Sequence, residues 1–210
     1  MRFLPIFKIR LTALLLFFSP GHSLPAQNGE TRLLKQISGT PHAGWDKAMR
    51  DLSFTVYLME PVPPVAISLQ GYFTKDKKML WNGYKSAISL CAALAMSTGI
   101  KYTVGRQRPF VRWPQYIEGR GKATTPSFPS GHTTAAFATA TSLSLTYRKW
   151  YVVVPAYTYA AMAAYARMRL GVHYPSDVLG GIVLGAGSSF LVWKLHERIQ
   201  RGKVAVKPPH

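Results

Sequence analysis

The 210-residue chain is poor in acidic residues, in cysteine and in uninterrupted apolar sequence. Eight Asp and Glu stand against 26 Lys and Arg, giving a net charge of +18. So basic a balance implies an anionic partner: nucleic acid, a membrane surface or a phosphorylated substrate. The lone cysteine, Cys91, excludes an intramolecular disulfide, and its place in the run ISLCAALAM reads as a small buried side chain. The sequence has no alternating strand pattern of useful length, no fixed-period repeat and no low-complexity tract. Mean hydropathy is only +0.03.

What is there is a series of charge-free stretches rich in Ala, Leu, Val and Gly: Pro61–Thr74, Ser86–Ile100, Thr133–Tyr147, Trp150–Ala166 and Val178–Trp193. All five read as helical, which makes the fold class all-α. Each is 14 to 17 residues long, short of the ~20 that cross a bilayer comfortably, so length alone leaves core helices and membrane helices both open. Charge placement favours the membrane. The segments Lys75–Lys78, Arg148-Lys149 and HERIQRGKVAVK fall on one side of a chain that crosses at every stretch, together with Arg2, Lys8 and Arg10. The loop Lys101–His132 and the segment Arg167–Asp177 then share the other side.

The N-terminus reads as an export signal. A basic front precedes the apolar Leu11–Phe18, and small residues follow at Ser19, Gly21, Ser23 and Ala26. Residues 1–26 are therefore a cleaved signal peptide or an uncleaved signal anchor. Residues 27–54, polar and basic, read as an exposed lead-in, and residues 196–210 as a basic tail. Arg112, Arg120 and Lys122 lie in the long loop, where they either contact an anionic substrate or are solvated.

Three segments concentrate polar residues beside apolar helices: KYTVGRQRP (Lys101–Pro109), PSGH (Pro129–His132) and ARMRLGVHYPSD (Ala166–Asp177). In order and spacing they resemble the three signature motifs of the type-2 phosphatidic acid phosphatase superfamily, whose members include lipid phosphate phosphatases, bacterial acid phosphatases and vanadium haloperoxidases. Lys101 and Arg108-Pro109 match the first, Pro129–His132 the second, and Arg167, His173 and Asp177 the third. Ala166 stands where that pattern usually has Ser, so one hydroxyl is missing. The resemblance covers about residues 55 to 195, the expected phosphatase domain, and implies a helical bundle with five core helices.

It also implies a hydrolase that works without a metal or other cofactor, and the residue chemistry agrees. A transferring phosphoryl group spreads negative charge over its oxygens, so catalysis is mostly positioning and charge stabilisation. Lys101, Arg108 and Arg167 supply three cations, and arginine can grip two oxygens at once. A neutral His173 can attack phosphorus to give a phosphohistidine. Asp177, one helical turn on, can fix its tautomer. His132 can protonate the leaving oxygen and then activate water. The backbone amides of Ser130 and Gly131, at a helix start, can hold a phosphate oxygen.

The expected substrates are membrane lipid phosphates: phosphatidate, undecaprenyl diphosphate, phosphatidylglycerol phosphate or the phosphates of lipid A. The expected location is the bacterial inner membrane with the site facing the periplasm. A soluble periplasmic acid phosphatase is the alternative, and a vanadium haloperoxidase a more distant one. A nucleic-acid-binding protein accounts for the charge but not for the export signal or the apolar stretches. A membrane transporter accounts for the helices but not for three polar motifs on one face.

Overall fold

The computed structural model describes residues 25–205, which are helical with no strand among them. In chain order the helices are α1 (Pro25–Ser38), α2 (Ala43–Met59), α3 (Val62–Phe73), α4 (Lys77–Val104), the single turn α5 (Pro109–Arg112), α6 (Gly131–Tyr147), α7 (Trp150–Arg169) and α8 (Pro175–Ala205). The expected signal or anchor, residues 1–26, lies outside the described residues except for Pro25 and Ala26.

Four of the five charge-free stretches fall within longer helices, and Pro61–Thr74 is α3 with its two capping residues. α4 has 28 residues and α8 has 31. A charge-free run marks only the part sheltered from water, while the helix continues through polar flanks until something stops it. On α4 the stops are visible. The Asp76 carboxylate caps the start by accepting from the amides of Lys78 and Met79. Gly105, at φ 61° in the left-handed region, ends it. With these extensions the segments Ala43–Phe73, Lys77–Arg112 and Pro175–Arg201 are long and apolar enough to cross a membrane. Their surface agrees: Phe73 is 75% exposed, Val183 73% and Tyr102 67%, an apolar exterior that water does not favour. Cys91 also points outward rather than into the core.

α6 is the interior helix, packed against α4, α7 and α8. Its buried face is Thr133, Thr134, Ala135, Ala136, Ala138, Ala140, Thr141 and Ser142, so it is neither long nor apolar in composition. What it offers is small side chains that let backbones approach closely. α8 meets it with Gly185, where a Cβ would run into the carbonyl of Thr134. Beside this contact the Ser189 hydroxyl donates to the carbonyl of Ala138 at 2.8 Å.

Residues 27–54 are not an exposed lead-in. They form α1 and most of α2, and bury Leu34, Met49 and Asp46. Their polarity is used internally. Asp46 pairs with Arg120 at 2.9 Å and with Arg169 at 3.1 Å. Arg120 also donates to the carbonyls of Ser38 at 2.5 Å and Arg169 at 3.0 Å. Arg120 is thus neither a substrate contact nor a solvated loop residue. It is a buried tie between the long loop, α1, α2 and α7.

Two substitutions test this packing. Gly185→Leu is expected to force α6 and α8 apart and to destabilise the protein by about 1–3 kcal/mol, the usual cost of overpacking. Arg120→Met leaves Asp46 with the His42 amide and Arg169 and is expected to cost about 3–5 kcal/mol, as breaking buried ion pairs does. Both are read as a lowered unfolding midpoint in detergent.

Candidate active site

The three polar segments meet at one end of the bundle because the helix directions bring them there. Lys101 lies in the last turn of α4, and Arg108 precedes α5. Ser130, Gly131 and His132 open α6. Arg167 closes α7, His173 sits in the turn that follows, and Asp177 lies in the first turn of α8. Lys101, Arg108, Gly131, His132, Arg167 and His173 line one cavity of about 730 Å³, to which α2 contributes Ser53 and Tyr57. Its outer wall includes Lys122 and Thr125 from the long loop.

His173 is almost wholly enclosed, at 1% exposure. Its Nδ1 lies 3.4 Å from the Asp177 carboxylate. Its Nε2 faces the Arg108 guanidinium at 3.2 Å. A guanidinium donates and never accepts, so Nε2 is the unprotonated nitrogen and Nδ1 carries the hydrogen toward Asp177. Burial, with Arg167 and Arg108 nearby, lowers the imidazole to about 3 against the opposing pull of Asp177. His173 is therefore neutral at physiological pH, with its Nε2 lone pair held by Arg108.

The cations are held by neutral oxygens. Lys101 Nζ donates to the carbonyl of Pro126 at 2.7 Å. Arg108 donates to the carbonyls of Thr125 at 2.7 Å and Val172 at 2.9 Å. Arg167 donates to the Ser53 hydroxyl at 2.7 Å and leaves its buried Nε without a partner. His132 receives the edge of the Tyr57 ring, with centroids 4.4 Å apart.

Two positions differ from expectation in their local roles. Ser130 is fully buried, and its amide is not open to a phosphate: it donates to the carbonyl of Asp177 at 2.9 Å. No side chain caps the first turn of α6, and of that turn Gly131 and His132 line the cavity. Ala166, in place of the usual Ser, packs in an apolar cluster with Met49, Leu170 and Val172.

Sequence reasoning missed Arg106, Ser127 and Glu30. Arg106 donates to Asp177 at 2.6 Å and to Glu30 of α1 at 2.7 Å, and lies over the Tyr174 ring at 4.0 Å. The Ser127 hydroxyl donates to the other Asp177 oxygen, which also accepts the Tyr174 amide at 2.9 Å. Arg106 lies inside the first motif, and its charge beside a helix end was the available signal. Glu30 carried none, because its partner is 76 residues away. Among the described residues no group of three or more His, Cys, Asp or Glu side chains is placed to hold a metal ion.

The chain is similar to several known proteins. The chain is 34% identical over 131 residues to a Sulfolobus acidocaldarius protein named undecaprenyl-diphosphatase, a match covering 62% of this chain and 60% of that one. It therefore spans less than two thirds of that relative. It is 29% identical to the putative undecaprenyl-diphosphatase YbjG of Escherichia coli, over 83% of this chain and 90% of that protein. The transmembrane PAP2-type phosphatidylglycerolphosphate phosphatase of Bacillus subtilis superposes with a TM-score of 0.71, covering 90% of this chain and 96% of that one. At 23% identity this last likeness speaks for the fold alone. The pattern of one family runs through α4, α6, α7 and α8, matching residues 83–201, more than half of the chain, and on that match the chain belongs to the PAP2 superfamily.

Proposed function

We propose that this protein is a metal-independent lipid phosphatase working through a phosphohistidine, with His173 as nucleophile, His132 as acid and then base, and Lys101, Arg108 and Arg167 as the phosphate clamp. The observation that carries the reading is His173 itself: a neutral imidazole, with Nδ1 toward Asp177 and Nε2 against the Arg108 guanidinium at 3.2 Å, in the wall of a cavity lined by three cations.

The steps follow from these positions. The entering phosphate takes the place of the Nε2 contact on Arg108 and fills the unpaired Nε of Arg167. His173 Nε2 bonds to phosphorus while the bond from phosphorus to the leaving oxygen breaks, and His132 gives that oxygen its proton. Asp177 steadies the positive charge that grows on the His173 ring. In the second step His132 takes a proton from water, the water oxygen bonds to phosphorus, and the bond to Nε2 breaks to release phosphate.

The named relatives support a membrane lipid diphosphate or monophosphate as substrate, a polyprenyl diphosphate being the first to test. Three membrane-capable helices support a membrane enzyme, and the basic inner segments support a site on the periplasmic face of the inner membrane.

The test is phosphate release from purified polyprenyl diphosphate, phosphatidate, phosphatidylglycerol phosphate and lipid A. Turnover is expected to persist in EDTA, and a requirement for added Mg²⁺ contradicts the proposal. His173→Ala is expected to form no phosphoenzyme. His132→Ala is expected to lose on the order of 10²–10⁴-fold on lipid substrates and to regain part of that with an aryl phosphate, whose leaving group departs without a proton. Rescue of His173→Ala instead reverses the two roles.

Arg106 touches no substrate in this scheme and acts by positioning Asp177. Arg106→Ala is expected to lower kcat by about 10²-fold, the scale of a small misplacement, with KM little changed. A matching rise in KM with kcat intact places Arg106 in binding instead.

A further inference from the structure

A second cavity, of about 580 Å³, opens at the opposite end of the bundle. Its walls come from the start of α4, the end of α6 and the later turns of α8, and include Lys78, Trp81, Lys85, Arg148, Trp193 and Glu197. Lys85 and Lys101 lie 16 residues apart on α4, about 24 Å at the helical rise. The two cavities are therefore separate, one near each end of the membrane-capable helices.

Three observations give this cavity a preference for anions. First, Lys85 is 9% exposed, and its Nζ lies over the Trp193 ring at 4.7 Å. The ring attracts the ammonium but supplies no hydrogen-bond acceptor, and Lys85 lines the cavity. Second, Lys78, Lys85 and Arg148 face a single lining carboxylate, Glu197, and among the described residues none of the three makes an ion pair. Third, Arg148 holds the left-handed backbone conformation, φ 51°, that ends α6. Glycine takes this position freely and any other residue pays for it. An arginine held there points to a use for its side chain.

We propose that this cavity binds a phosphate-bearing anionic headgroup, gripped by Lys85 and Arg148, with the flanking tryptophans against the lipid or glycerol portion. The proposal is for a binding site. The inference does not depend on the phosphatase reading.

The experiment uses the full chain in detergent, with native mass spectrometry to count bound lipid and the unfolding midpoint as a second readout. Phosphatidylglycerol, a diester, is compared with phosphatidylcholine and with water-soluble glycerol phosphate. Phosphatidylglycerol is expected to bind and to raise the midpoint, phosphatidylcholine much less. Lys85→Met and Arg148→Gly are each expected to weaken phosphatidylglycerol binding roughly ten-fold, the scale of one charge-assisted hydrogen bond, while Lys85→Arg retains it. Arg148→Gly suits the backbone, so its unliganded midpoint should not fall, and lost binding cannot be put down to misfolding. Equal binding of both lipids, or undiminished phosphatidylglycerol binding in Arg148→Gly and Lys85→Met, overturns the proposal. If glycerol phosphate raises the midpoint as much as the lipid does, the anion is a soluble phosphate ester; if only the lipid does, it is a membrane headgroup.

Discussion

Everything at the cavity end of the bundle is arranged around one carboxylate, Asp177, which is wholly shielded from solvent. A bare carboxylate buried this way is untenable, so each oxygen must be served. Arg106 serves one; Ser127, the Tyr174 amide and the His173 ring serve the other. The Asp177 carbonyl in turn takes the Ser130 amide. One residue thereby joins the loop after α4, the loop before α6, the turn after α7 and the start of α8. Removing its charge would unfasten all four together.

The rest of the cavity is electrically unfinished. Lys101, Arg108 and Arg167 are each less than a tenth exposed, yet none is paired with a carboxylate. Carbonyls and hydroxyls hold them in place without cancelling their charge. Such an arrangement is tolerable because dipoles orient the cations, and it leaves their field directed at whatever anion enters. The cost of assembling the site is met during folding, so little reorganisation remains for the moment of reaction.

Much of this was legible in the sequence, for physical reasons that differ from residue to residue. The five core helices showed as charge-free stretches, and the charged motif residues showed because an arginine such as Arg167 at the end of an apolar run demands an explanation. Helix lengths did not show, since caps such as Asp76 and Gly105 lie beyond the apolar part. Nor did the role of 27–54. Its charges looked like those of a solvated segment, whereas Asp46 and Glu30 find arginines 74 and 76 residues away. Pairings at such separation leave no periodic trace. The Ser130 amide was misjudged for the same reason, its partner being supplied by a distant helix.

The interior seam between α6 and α8 has a consequence for how this protein can change over evolutionary time. A backbone contact as close as that of Gly185 against Thr134 admits no larger residue, so the catalytic end rests on a part of the fold that is nearly closed to variation. The far wall of the cavity is different. It is made from Arg50, Asp51, Phe54 and Tyr57 on α2 and from residues 121–125 of the loop, none of which belongs to α6 or α8. The two sides of the cavity are thus built from separate parts of the chain, and only one of them is bound to the close backbone seam.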